Sequence, residues 1–238
     1  MMKSMNYYDL LEAFKLTGCP LCRLLNKDAD HFLDTLLYEF VADPMIQAEF
    51  RKSRGLCNVH AWGLTQQRGG NVGVAILAQA VLDDAIAVLN SASGRKTASP
   101  LTRLFGQQSE GSLLAERLEA GERCMCCVAL DAHEARYVET LAAASEEERF
   151  KEAYAASSGL CLPHFRRLLK VVDQAEARQN LIDIQTAIWQ ALSAELELFR
   201  YKVDPRWTGD PMGAEANSWL RTTEVIAGAS SVFPSQRE

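Results

Sequence analysis

The stretch Ser53–Trp62 reads "SRGLCNVHAW" and the stretch Ser157–Arg166 reads "SSGLCLPHFR", so Gly-Leu-Cys-x-x-His is written twice. The chain has only four histidines, and two of them, His60 and His164, sit in this motif. A close cysteine group precedes each copy: "GCPLC" with Cys19 and Cys22, then "RCMCC" with Cys124, Cys126 and Cys127. Cys19 and Cys124 lie 105 positions apart and Cys57 and Cys161 lie 104 apart, so a one-residue gap aligns both sets. Agreement of residue type, order and spacing over this distance points to a tandem duplication.

Cys-x-x-Cys followed by Cys-x-x-His offers three sulfurs and an imidazole. Two intervening residues let both members of a pair reach one ion without straining the backbone. Four such ligands meet the tetrahedral preference of zinc, with Zn–S about 2.3 Å and Zn–N about 2.0–2.1 Å. Each cysteine pair falls at an expected helix start, where free N–H groups favour thiolate over thiol. Gly55 and Gly159 permit a tight entry into each Cys-x-x-His turn. Spacing within each half assigns Cys19, Cys22, Cys57 and His60 to one centre and Cys124, Cys127, Cys161 and His164 to the other, with one zinc in each. Cysteines at this spacing also hold iron–sulfur clusters, where four cysteines are the norm and histidine the exception, so a cluster is the alternative. "CPLC" has the form of a thioredoxin dithiol as well, but that motif belongs beside a βαβ unit, and no strand is legible here.

Periodicity and caps give an all-α reading. A first helix is expected over about Asn6–Thr17, ended by Gly18. A second starts at the cysteine pair and carries Leu21, Leu24, Leu25, Phe32, Leu36 and Phe40 at helical spacing. Asp43-Pro44 reads as an N-cap with proline at the first helical position, opening a short helix through Phe50. A fourth helix starts near Cys57–His60, and a long one follows "RGGN" with Val74, Leu77, Val81, Val88 and Leu89 on its apolar side. In the second half, helices are expected over Ser112–Ala120, from the cysteine cluster to about Ala143, after "SEEE" (Ser145–Glu148, the form of a capping box), after Pro163, and over Ala175–Lys202. These elements group as a first unit over 1–92, a linker over 93–110, a second unit over 111–203 and an extension over 204–238 with a short helix at Asn217–Ala227. The Ser/Gly/Thr-rich run Asn90–Gly111 reads as exposed linker, including "PLTRLF" unless that turn packs, and the last residues as frayed.

The composition fits a globular protein: 238 residues, 48% hydrophobic, 24% charged and 8% aromatic, rich in helix formers. A net charge of −6 argues against a nucleic-acid partner. The N-terminus places Asp9 and Glu12 inside its apolar pattern and lacks the form of a signal peptide. The most apolar window, Val72–Leu82, ends at Asp83-Asp84 and reads as too short to span a bilayer. A cytoplasmic location follows, with no membrane partner, and there seven cysteines point to metal or redox chemistry rather than disulfides.

Cys126 has no counterpart in the first half, where Leu21 fills the matching position, and reads as a spare or core-facing thiol. His31 and His133 fall out of register in the repeat. With the acids near them, Asp28, Asp34, Asp131 and Glu134, they read as solvated helix faces rather than a carboxylate–histidine metal site. There is no glycine-rich phosphate loop and no nucleophile elbow, and four protein ligands close a metal to substrate.

The runs "CPLCRLL", "LLYEFVADP", "SRGLCNVHAWGL", "GVAIL", "GLCLPH" and "DPRWTGDPMGAEANSWLR" resemble an uncharacterised prokaryotic family, one of the domain-of-unknown-function families, from about Leu10 to Leu220. "RCMCC" departs from the simpler Cys-Pro-x-Cys typical of that family, which leaves the ligands of the second cysteine group open. The resemblance implies the fold and the metal residues and carries no activity.

The sequence therefore reads first as a non-enzymatic, metal-stapled helical scaffold or accessory module for a protein partner. The alternative is an electron-transfer or redox-accessory protein with iron–sulfur clusters. A binder using a cleft between the units is a third reading. The segment Asp204–Arg221 has no equivalent in the first half and is expected to pack across both units as a clamp or partner site.

Overall fold

The structure, a computed structural model, describes residues 4–92, 110–204, 206 and 211–232. Residues 93–109, which hold most of the expected linker, and the expected frayed end at 233–238 lie outside them. Among the described residues there are eleven α-helices and no strand, which makes the fold all-α.

The helices are α1 (Met5–Phe14), α2 (Pro20–Thr35), α3 (Pro44–Lys52), α4 (Asn58–Thr65), α5 (Asn71–Ala92) and α6 (Glu110–Leu118). They continue as α7 (Met125–Ala144), α8 (Glu148–Ala155), α9 (Leu162–Val171), α10 (Ala175–Lys202) and α11 (Ser218–Ala227). A π-helical turn over Leu36–Phe40 extends α2, and a 3₁₀ turn over Ala214–Asn217 leads into α11. Asp43 caps α3 as its sequence implies, its carboxylate accepting from the N–H groups of Met45 (2.7 Å) and Ile46 (3.4 Å) ahead of Pro44 at the start of the helix. Pro163 likewise lies in the first turn of α9. The expected capping box at Ser145–Glu148 is not formed: Glu147 is the N-cap of α8, and the Ser145 hydroxyl donates instead to the carbonyl of Ala142 (2.7 Å). A serine two residues too early satisfies the preceding helix rather than the next one.

The chain divides into two compact units, and their composition departs from the serial order expected. One unit combines residues 1–28 with 130–238, and the other is 29–129. The divisions fall inside α2 and α7, so the first turns of each of these helices belong to one unit and the remainder to the other.

In the discontinuous unit, α1 packs on α8 through aromatic rings. Phe14 meets Phe150 edge to face at 5.1 Å between centroids and lies 5.5 Å from Tyr154, while Tyr7 lies 5.8 Å from Phe150. The Tyr7 hydroxyl adds a hydrogen bond to Glu147 (3.0 Å). Phe150 and Tyr154 are almost fully buried, and side chains of this size dominate the core of a unit. This contact joins segments 140 positions apart in sequence, so it brings the Cys19–Cys22 segment to the second copy of the repeated motif. His133 and Asp28 also meet here (2.8 Å), with Tyr137 donating to the same carboxylate (2.9 Å). The pair is thus engaged rather than solvated, whereas His31 is exposed as expected.

In the continuous unit, the Cys124-bearing segment is tied to the end of α3. The Gly121 N–H donates to the carbonyl of Lys52 (2.9 Å), Lys52 pairs with Glu122 (3.5 Å), and the Arg54 guanidinium bonds the carbonyl of Arg117 (2.6 Å) and the carboxylate of Asp84. The long helix expected after "RGGN" passes Asp83 and Asp84 as its apolar positions Val88 and Leu89 imply, but the Val72–Leu82 window understates its apolar reach. The helix runs on, and Asn71–Ser91 is long and apolar enough by length and composition to cross a membrane, with 6% of its most apolar window buried. Leu77 is its one fully buried apolar side chain among the described residues, while Val72, Leu82 and Ile86 are at least half exposed.

Candidate metal centres

The eight cysteine and histidine residues assemble into two sets of four, and the pairing is crossed. Cys19 and Cys22 meet Cys161 and His164 in the discontinuous unit; Cys124 and Cys127 meet Cys57 and His60 in the continuous one. Within each set one donor atom per residue lies within 4.8 Å of every other. The assignment of Cys57 and His60 to the first pair, and of Cys161 and His164 to the second, is therefore corrected: each Cys-x-x-His turn closes on the cysteine pair from the other half of the chain. The physical reason is the docking described above, α1 on α8 and the Gly121–Glu122 segment on α3, which carries each pair across.

Local structure presents the ligands in the same way at both centres. Gly55 and Gly159 adopt φ of +90° and +71°, which glycine takes without strain, and each is followed two residues later by the cysteine that caps α4 or α9. The histidine comes one turn into the helix, with Nδ1 turned toward the sulfurs. In the first centre Nδ1 of His164 lies 3.2 Å from Cys161, 3.4 Å from Cys19 and 3.4 Å from Cys22, and the sulfurs of Cys22 and Cys161 are 3.7 Å apart. In the second, Nδ1 of His60 lies 3.3 Å from Cys57, 3.4 Å from Cys127 and 3.6 Å from Cys124, with Cys57 and Cys127 3.7 Å apart. A tetrahedron with Zn–S of about 2.3 Å and Zn–N of about 2.05 Å has S···S edges of about 3.8 Å and S···N edges of about 3.5 Å. The donor sets fit one small cation each.

Without a cation, the groups of each set titrate as a network. Burial opposes charge on His164, but hydrogen bonds to the sulfurs of Cys161 and Cys19 outweigh it and raise its pKa to about 11. The same balance at His60, with Cys124, Cys126 and Cys57 as partners, raises its pKa to about 12. Cys124 is held low by hydrogen bonds from Cys127 and Cys57, whereas Cys22 and Cys127 are pushed up by sharing protons with their sulfur neighbours. The lowered thiols of Cys19 and Cys124 and the raised histidines favour thiolate beside imidazolium, the charge pattern that a divalent cation replaces as it displaces the protons.

The surroundings of the two centres differ. Nε2 of His164 faces Oε1 of Glu134 at 3.1 Å, Glu134 is buried, and its other oxygen accepts from Arg167. The carboxylate stands at ion-pair distance behind the ring while Nδ1 faces the sulfurs, the arrangement in which a carboxylate orients a metal-binding histidine. Gln185 from α10, fully buried, accepts from the backbone N–H of Leu160 (2.9 Å) and from the hydroxyl of Tyr154, holding the turn ahead of Cys161. Beyond α11, the N–H of Ala229 donates to the sulfur of Cys22 (3.4 Å). At the second centre Nε2 of His60 is buried and no hydrogen-bond partner meets it among the described residues, and Cys57 and Cys127 are half-buried. Cys126 is fully buried beside this centre, outside its four donors, and burial raises its pKa.

Glu134, Gln185 and Arg167 were not visible in the sequence as partners of the metal ligands. Glu134 reads there as part of a solvated face, and its burial against His164 overturns that reading. The motif spacing fixes the ligands but holds no signal for a carboxylate on another helix.

Residues 1–232 match a family described as "Family of unknown function (DUF6062)". The chain belongs to that family. Searches of curated proteins and of solved structures find no match. Membership of DUF6062 agrees with the resemblance drawn from the cysteine motifs and brings no activity with it.

Proposed function

We propose that this DUF6062 chain is a non-catalytic helical scaffold or accessory protein in which two structural zinc ions staple the helical units. The single observation that carries this reading is the donor geometry, four protein ligands at single-ion spacing in each unit. Four protein ligands leave no open position for substrate. Thiolates that bind separate irons of a cluster stand further apart than thiolates sharing one ion, so the short sulfur separations favour zinc over the iron–sulfur alternative. A structural zinc site contributes on the order of 10–16 kcal/mol in small peptides, comparable with the 5–15 kcal/mol that stabilises a whole domain.

The duplication belongs to the same reading. Two copies of one unit that exchange their cysteine-bearing arms give both the repeated motif and the crossed pairing. A protein partner, in a cytoplasmic setting, is favoured over nucleic acid by the net charge of −6 and by the exposed apolar side of α5.

Elemental analysis of the chain purified without added metal tests the proposal, with two zinc atoms per chain expected. Stoichiometric iron with sulfide, and charge-transfer absorption near 400 nm after anaerobic purification, would give the redox alternative instead.

A further inference from the structure

A cleft of about 800 Å³ lies wholly within the discontinuous unit, between α10, α11 and the turns that carry Cys19 and Cys161. This volume is in the range of small-molecule sites. One wall is an aliphatic stripe on α10, where Ile184, Ala187, Ile188, Ala191 and Leu192 recur every three or four residues and the alanines are exposed. From Ile184 to Leu192 the stripe is about 12 Å long at 1.5 Å rise per residue.

The charges in the cleft are unbalanced. Asp183, Glu195 and Glu224 line it with Arg221 as the one cation among its lining residues. Arg221 is already engaged, donating to Asn217 (2.9 Å), to the carbonyl of Ala214 (3.0 Å) and to Glu195. Asp183 accepts one neutral hydrogen bond, from Gln179 (2.8 Å). Glu224 is half-buried and no cation meets it among the described residues. Its carboxylate oxygen stands 2.7 Å from where a side chain on Gly18 would begin, so Gly18, at φ +86°, leaves room for it beside the ligand turn. A half-buried carboxylate without a counter-ion beside an apolar wall is complementary to a cation with a hydrocarbon body.

We propose that this cleft binds an aliphatic di- or polyamine, its methylene chain along the Ile184–Leu192 stripe and its ammonium groups at Glu224 and Asp183. A dicarboxylate is repelled there, and a metal ion gains nothing from the stripe. The metal-free charge imbalance is sufficient, so the inference stands apart from the zinc reading.

Calorimetric titration of the full chain with spermidine and with 1,8-diaminooctane tests it, beside 1,8-octanediol and suberate as the uncharged and anionic counterparts. Expected are one amine site per chain, weakened by added sodium chloride, and no binding of the diol or the diacid. Glu224→Gln and Asp183→Asn should each weaken amine binding about tenfold, while Glu176→Gln, exposed in the first helical turn of α10 and outside the cleft, leaves it unchanged. Asp183 is exposed, so D183N keeps the test valid should E224Q disturb folding, and circular dichroism and metal content on the same samples separate that outcome. No saturable amine binding, equal binding of the diol, or full binding by both variants would overturn the proposal. So would concentration-dependent self-association that the amines compete away without a one-to-one site, since a second copy then fills the cleft.

Discussion

The first centre is fully buried, and its histidine is buttressed by Glu134 and its ligand turn by Gln185. The second uses the same four ligand types, yet among the described residues Nε2 of His60 meets no partner, and two of its sulfurs are partly open to water. Identical ligand sets thus sit in unequal shells. Ligand identity selects the ion, while the surrounding hydrogen bonds and solvent access set how tightly and how long it is held.

The largest expected effect tests the crossed pairing itself. Cys22→Ser with Cys161→Ser should remove one of two metal equivalents, because both residues serve the first centre. Cys22→Ser with Cys57→Ser should remove both. Serial pairing predicts the opposite pattern, so metal counting on these two double variants decides between them. Loss of a structural metal on this scale should also abolish cooperative unfolding of the affected unit, read by calorimetry.

Gly159→Ala comes next. It forces an L-residue to φ +71° and places a Cβ 2.6 Å from the Gln185 amide, so the Cys161 turn must move. The conformational term alone is about 1–2 kcal/mol, and the expected result is loss of metal from the first centre with the second intact.

Glu134→Gln should weaken metal binding at the first centre roughly 10- to 100-fold, as removal of a carboxylate behind a histidine ligand commonly does. Competition with a chromophoric chelator reads this, and the second centre should be unmoved. The same chelator applied to the parent protein should draw metal in two phases, the faster from the half-buried Cys57 and Cys127. Both phases should accelerate as pH falls, since binding requires deprotonated sulfur and neutral imidazole, and acid returns the protons.

The smallest effect separates folding from metal. Asp43→Ala removes the α3 cap and should cost about 1 kcal/mol in thermal or denaturant unfolding with both metals retained.

Much of the helical architecture was legible in the sequence. The Ala175–Lys202 helix, the Asp43-Pro44 start and the glycines before each ligand turn follow from local rules, and the structure reproduces them. The partners of those turns were not legible. Closing Cys22 on Cys161, 139 positions away, rather than on Cys57, costs only about 1 kcal/mol more in loop entropy. That is small beside the metal and the aromatic packing of Phe14 on Phe150 and Tyr154. Proximity in sequence is therefore a weak guide to pairing, and the side chains that decide it carry no motif. The apolar reach of α5, as distinct from its length, exceeds the Val72–Leu82 window: Asp84 pairs with Arg54, and the apolar pattern resumes beyond it.

The crossed pairing also nests one closure inside the other, like brackets within brackets: Cys57 to Cys127 is enclosed by Cys19 to His164. During synthesis the inner bracket is complete when Cys127 emerges. The earliest thiols, Cys19 and Cys22, then wait for His164, some 37 residues later. Until that point their only route to coordination is a temporary one, so the order of translation favours filling the weaker-shelled centre first and the better-shelled centre last.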